Sequence, residues 1–224
     1  MAVTAPLFIA ILLSYLLGSI PTAVIVGKIL GVDVRRDGSG NPGAANLARL
    51  CGKRSWGAFV LMIDAAKGFL PARFGGALVI GLTASGESFD PRTLNIVLGS
   101  FAVLGHCTSV FLKFHGGKGV ATSLGVALAI SPLIGLACFV IWAILAELTR
   151  RISVSSLLAG LSFPLLMHFH PSMHPAAKYF AWFLPLYLLF THRLNLLRLL
   201  QGSEPAIPRE RLVRYFFASK MHRE

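Results

Sequence analysis

Long apolar runs alternate along the chain with short connections in which Gly, Pro, Lys and Arg collect. Six such runs stand out, at 4–29, 55–82, 93–113, 118–149, 152–168 and 177–192. Helices of this length suit a hydrocarbon core of about 30 Å. The stretch 118–149 is too long for one straight crossing, because at roughly 1.5 Å per residue it would reach about 48 Å. Ser131-Pro132 offers a turn midway, and Lys113 and Lys118 at one end match Arg150 and Arg151 at the other in sign. We therefore divide it into 118–130 and 132–149, the first unusually short. The pattern predicts an all-α, polytopic integral membrane bundle with seven transmembrane helices. Short loops and the lack of a Pro/Ser-rich linker predict one membrane-embedded domain over 1–224, ending in a basic tail, 193–224.

Orientation follows from charge. The connection from Lys28 to Arg54 holds Lys28, Arg35, Arg36, Arg49, Lys53 and Arg54 against Asp33 and Asp37. The positive-inside bias puts it in the cytoplasm and the N-terminus outside. The segment Thr83–Arg92, with Glu87 and Asp90 against a single Arg, is then external, as is His168–Lys178 with its two prolines. Seven crossings bring the tail back to the cytoplasm, in agreement with its seven Lys/Arg against three Glu. Residues 4–29 have no basic region before them and are too long for the core of a signal peptide, so they are read as a permanent span.

Composition narrows the partners. With 55% hydrophobic and 13% charged residues and a mean hydropathy of +0.71, the chain does not describe a soluble domain. A net charge of +12 raises the question of nucleic acid, but the basic residues sit in the connections between spans rather than along one soluble face. No nucleic-acid partner is expected. Cys51, Cys107 and Cys138 have no paired spacing, so neither a disulfide framework nor a metal site is predicted. His168, His170 and His174 do not make a convincing zinc site either, and no cofactor is expected.

The polar residues collect on the side assigned to the cytoplasm. Phe114–Thr122, reading Phe-His-Gly-Gly-Lys-Gly-Val-Ala-Thr, joins two apolar runs through a glycine-rich loop. Gly116, Gly117 and Gly119 would let backbone N–H groups converge on an anion, Lys118 adds positive charge, and a helix beginning at Val120 would face the same anion. The plainer reading is a flexible turn. A Walker loop is excluded, since Gly119 rather than Ser or Thr follows the lysine and no strand precedes it. Asp37–Arg49 places Ser39, Asn41, Asn46 and Arg49, donors suited to phosphate and hydroxyl oxygens, among three glycines. Ser153, Ser155 and Ser156 open the sixth span, where such serines usually cap or bond between helices. His192 and Asn195 lie three apart at the end of the last span, on one helical face. Asp64 and Lys67, i and i+3 inside the second span, read as a structural ion pair near the site, and His106 either faces that site or bonds a neighbouring carbonyl.

Taken together, Gly38-Ser39-Gly40-Asn41, Gly43-Ala44, Asn46, Arg49, Asp64, Lys67-Gly68, Pro71, Gly105-His106, Gly116-Gly117-Lys118-Gly119-Val120-Ala121-Thr122, His192-Arg193, Asn195, Arg198-Leu199, Gly202 and Glu204 resemble the bacterial PlsY family of integral-membrane acyl-phosphate:glycerol-3-phosphate acyltransferases. The likeness runs from Gly18 to Glu204. Two departures, Ala45 for the expected Thr and Ser109 for the expected Pro, touch local geometry rather than a ligand contact. The resemblance implies transfer of a fatty acyl group from acyl phosphate to the 1-hydroxyl of glycerol 3-phosphate, giving lysophosphatidic acid and phosphate in the first acylation of phospholipid synthesis. It points to Ser39, Arg49, Lys118, Ser156, His192 and Asn195 as site residues, of which we take Lys118, His192 and Ser156 as catalytic. Ser39, Asn41, Asn46, Arg49, Gly116, Gly117, Gly119 and Asn195 become the substrate-binding ones.

Arg49, His192, Ser39 and Asn195 suit glycerol 3-phosphate, and the Gly116–Gly119 loop with Lys118 suits the acyl-phosphate headgroup. Acyl phosphate is already an activated mixed anhydride, so no enzyme nucleophile is required. The setting implied is the bacterial plasma (inner) membrane, among membrane lipids, with the active site on the cytoplasmic side. Transient contact with a soluble acyl-phosphate synthase stays open. So does the alternative of a transporter or flippase for an anionic lipid or phosphate compound, although no internal repeat supports it. An anionic-lipid-binding scaffold would not explain so many glycines and small polar groups on one side. For the tail, 207–220, both a surface-lying segment and disorder are open.

Overall fold

The computed structural model describes residues 5–83, 90–170 and 174–206; the 207–220 tail and Glu87 lie outside the described residues. Among the described residues there are helices and no strands. The N-terminal run forms α1 (Ala5–Ser19) and α2 (Thr22–Ile29), broken at Ile20-Pro21, where the proline ring removes an N–H donor. The carbonyls released by this break are taken up from neighbouring segments: the Ser109 hydroxyl donates to Ser19 O, and Lys67 Nζ donates to Ile20 O at 2.6 Å. A short helix, α3 (Ala44–Cys51), precedes the 29-residue α4 (Arg54–Leu82). Then follow α5 (Pro91–Cys107), a 3₁₀ turn at Val110–Leu112, α6 (Val120–Ile130), α7 (Pro132–Thr149), α8 (Ile152–His168), α9 (Pro175–Thr191) and α10 (Arg193–Leu200).

Each of the seven predicted apolar segments is largely helical, but the first is broken at Ile20-Pro21 and the helix of the third ends at Cys107, short of the expected 113. By length and composition, residues Ala5–Ile29, Pro91–Leu112 and Pro132–Thr149 suffice to cross a membrane, with mean hydropathies of 2.2, 1.6 and 2.0. The division at Ser131 is present, with the Ser131 hydroxyl accepting from Ile134 N–H and Pro132 opening α7. Two further boundaries differ from expectation. Residues 31–54 are not loop throughout, because α3 buries Asn46, Leu47 and Ala48 as one amphipathic face and is stopped by left-handed Gly52 (φ 64). The fourth span starts at Val120 rather than Lys118, because Gly119 takes the left-handed conformation (φ 82) and ends the loop there.

Polarity is inverted relative to a water-soluble fold. Large apolar side chains such as Phe74, Leu78, Leu133 and Leu186 lie on the perimeter, while Asp64, Lys67, Ser155, Ser156 and His192 are buried. In lipid, apolar perimeter groups do not drive helices together, so close backbone packing must hold the bundle. Small residues provide it. A Cβ at Gly125 of α6 would run into Ala65 O of α4, and one at Gly68 of α4 into Thr122 O of α6. Gly18 of α1 and Gly105 of α5 interlock in the same way with Ala102 O and Tyr15 O. Thus α4 is the central helix, touching α1, α3, α5 and α6, while α7, α8 and α9 form the adjoining wall.

Candidate active site

The segments expected to converge do so around one cavity of about 630 Å³. Ser39, Asn41, Asn46 and Arg49 come from the α2–α4 connection, Lys118 and Gly119 from the loop before α6, Ser156 from α8, and His192 and Asn195 from the α9–α10 junction. Gly116 and Gly117 are not among its lining residues. Their amides point the other way: Gly116 N–H donates to Cys107 O and Gly117 N–H to His106 O, both at 3.0 Å. The expectation that these two amides hold an anion is therefore corrected. Both residues are glycine because a Cβ on either would collide with His106, at its carbonyl oxygen or its ring. They lash the loop to the end of α5, which brings Lys118 and the first turn of α6 to the cavity. The amides of that turn have no intrahelical acceptor, and Gly119 supplies no side-chain cap.

Lys118 is half-buried and doubly held. Its Nζ donates to Asn195 Oδ1 at 2.6 Å, and its carbonyl accepts from the Thr191 hydroxyl at 3.1 Å. Burial, with the charges of Arg198 and Arg49, pushes its pKa down to about 8, against an opposing pull from Glu204. Asn195 Nδ2 donates in turn to Glu204 Oε1 at 2.7 Å, which also accepts from Ser153 at 2.6 Å, while Arg198 Nε reaches Glu204 Oε2 at 3.0 Å. Burial raises the Glu204 pKa, but these three donors outweigh it and the net shift is downward. Sequence reasoning missed Glu204 as a site residue, although it stood in the quoted motif set. Its signal was weak, since a lone acid beyond a short helix has no spacing that reveals its partners.

His192 lies in the turn beyond α9, only 2% exposed. Its Nδ1 is 2.8 Å from Leu188 O; a carbonyl can only accept, so Nδ1 carries the proton and Nε2 is left as an acceptor. Ser156 accepts from Trp142 Nε1 at 3.2 Å. Asn46 lines the cavity but spends its amide on the loop itself: Oδ1 accepts from Ser39 N–H, and Nδ2 donates to Val34 O and Asp37 O. That fixes the Ser39 turn.

Asp64 and Lys67 form the expected buried pair, and His106 Nδ1 is 3.9 Å from Asp64, both lining the cavity. His174 instead meets Asp90 at the far end of α5. Among the described residues no cluster of His, Cys, Asp or Glu could hold a metal.

The cavity is therefore amphipathic along its length. Arg49, Lys118 and Arg198 outnumber Glu204 at one end, whereas Ala159, Phe163, Leu184 and Leu188 line the other. It suits an anion with an apolar tail. A family model described as glycerol-3-phosphate acyltransferase matches residues 8–202. The chain belongs to the glycerol-3-phosphate acyltransferase family. It is 42% identical over 209 residues to the glycerol-3-phosphate acyltransferase of Nostoc sp., covering 88% of this chain and 90% of that one. The Staphylococcus carnosus glycerol-3-phosphate acyltransferase is 37% identical over 201 residues, with coverages of 88% and 96%.

Two crystal structures of PlsY, an integral membrane glycerol 3-phosphate acyltransferase, have the same fold. Its glycerol 3-phosphate form superposes with a TM-score of 0.80 at 33% identity, covering 92% of this chain and 98% of that one. Its lysophosphatidic acid form gives 0.80 at 32%, with coverages of 93% and 98%. The family works in phospholipid synthesis, and this chain is a membrane protein built of apolar helices.

Proposed function

We propose that the protein transfers a fatty acyl group from acyl phosphate to the 1-hydroxyl of glycerol 3-phosphate, releasing lysophosphatidic acid and inorganic phosphate. The observation that carries this reading is the single cavity with a cationic end and an apolar end, lined by Ser39, Arg49, Lys118, Ser156, His192 and Asn195. Arg49, Ser39, Asn195 and His192 hold glycerol 3-phosphate. Lys118 and the first-turn amides of α6 hold the acyl-phosphate headgroup, in place of the Gly116 and Gly117 amides. The apolar end takes the start of the acyl chain.

The 1-hydroxyl oxygen attacks the acyl carbonyl carbon, and the carbon–oxygen bond to phosphate then breaks. Lys118 neutralises the charge that accumulates on the departing phosphate. The hydroxyl proton has two acceptors at hand, His192 Nε2 and a substrate phosphate oxygen. Because the donor is already activated, positioning and charge stabilisation do most of the work. In this reading seven helices cross the bacterial inner membrane, the N-terminus is outside, and the cationic end opens to the cytoplasm, where a soluble acyl-phosphate synthase would meet it.

The test is phosphate release by purified, reconstituted protein given palmitoyl phosphate and glycerol 3-phosphate, with palmitoyl-CoA as the competing donor. Turnover with the acyl phosphate alone is expected. Lys118→Ala should lower it by at least about 100-fold, the scale for removing a charge-stabilising donor. Near-normal turnover of that variant would sink the assignment, equal use of the CoA ester would overturn the donor, and movement of glycerol 3-phosphate without product would favour a transporter.

A further inference from the structure

Along α8, the residues that line the cavity are Ile152, Ser153, Ser156, Ala159, Gly160 and Phe163. Their spacing keeps to one helical face. Ser153 belongs to the polar end, where it donates to Glu204, and from Ala159 onward the face is apolar. Ser156, one turn deeper than Ser153, is therefore the last hydroxyl that α8 presents to the cavity before its face turns apolar. In the acyl-transfer reading, a donor with a charged head and an apolar tail would place its acyl carbonyl at this boundary.

The direction of the Ser156 proton then matters. A helical serine usually turns its hydroxyl onto the carbonyl four residues back, and the adjacent Ser155 does so, donating to Arg151 O at 2.9 Å. Ser156 is engaged differently, because Trp142 Nε1 of α7 donates to its oxygen at 3.2 Å. An indole N–H can only donate, so it occupies an acceptor position of the serine and leaves the serine proton for another partner. The indole is itself supported by stacking on Phe139, with centroids 6.0 Å apart and planes at 20°, and both rings line the cavity.

We propose that Trp142 is a positioning residue, whose indole N–H holds the Ser156 hydroxyl so that its proton faces the acyl carbonyl oxygen of the donor. This rests on the acyl-transfer reading above. Without the indole, Ser156 is free to swing onto the carbonyl of Ile152, and the developing oxyanion loses a donor.

The test is a double-mutant cycle on reconstituted protein with palmitoyl phosphate and glycerol 3-phosphate, comparing wild type, Trp142→Phe, Ser156→Ala and the double variant. Trp142→Phe keeps a six-membered aromatic ring beside Phe139 and removes the N–H with the rest of the five-membered ring. It should lower kcat by about tenfold, as expected for one misdirected hydrogen bond, with KM for glycerol 3-phosphate unchanged. In the Ser156→Ala background the same change should have no effect. Equal losses in both backgrounds, or full activity of Trp142→Phe, would overturn the proposal. A rise in KM for glycerol 3-phosphate would mark general damage to the cavity and overturn it equally. An inactive wild type would instead defeat the functional reading itself, and this proposal with it; with an active wild type only Trp142 is at issue.

Discussion

Lys118 concentrates the chemistry of the site in one side chain. Its ammonium is held by Asn195 beside Arg49 and Arg198, and its pKa is pushed down to about 8 by burial and those charges. The free site therefore loses a positive charge as pH rises through about 8, and anion binding, which favours the charged form, weakens above it. The profile of kcat/KM against pH, which reports the free enzyme, should bend downward near pH 8, well below the ordinary lysine range. A profile flat to pH 10 would show that Lys118 does not bind the rate-determining anion. Lys118, Ser39 and Arg49 were legible as candidates because their residue types announce anion chemistry. The role of Asn46 was not, since asparagine serves a loop or a ligand equally well and only its three bonds to Val34, Asp37 and Ser39 separate the two.

At the scale of elements, the glycine loop is a fastening rather than a cradle. Gly116 and Gly117 give their amides to the last carbonyls of α5, with no room for a side chain against His106. Gly116→Ala should push the loop off α5, at a cost of about 1–3 kcal/mol for overpacking. The result expected is a lower thermal midpoint in detergent and at least tenfold less turnover, whereas Gly81→Ala, at a position with open space around it, should change neither. An unimpaired Gly116→Ala would mean that the loop is not positioned through α5. Sequence spacing identified this loop as special, but glycines that admit an anion and glycines that admit a neighbouring helix look alike until the neighbour is seen. The short helix α3 was hidden for a related reason: its Gly and Asn flanks carry turn character, and at eight residues its apolar stripe, in which Ala44 and Cys51 join Leu47, is too short to stand out from a polar connection.

At the scale of the molecule, the apolar perimeter and the buried polar interior are one arrangement viewed from two sides. The proposed topology puts Lys53 in the cytoplasm and Arg92 outside, both on exposed positions. In a variant without Cys51, Cys107 and Cys138, Arg92→Cys should react with a membrane-impermeant maleimide in intact cells, and Lys53→Cys only after the membrane is opened. Labelling in the reverse order would invert the topology and move the cationic end to the other face. Hydropathy and charge in the chain alone determined the long apolar helical segments and that the polar loops gather at one end of the bundle, because these are local consequences of an apolar solvent and a charge bias; α3 and the break at Ile20-Pro21 were not among them. Tertiary structure alone decided which loop amides are free, that Glu204 binds Ser153, Asn195 and Arg198, and that Trp142 meets Ser156. Those depend on atoms from distant segments coming within about 3 Å, and no local pattern encodes that distance.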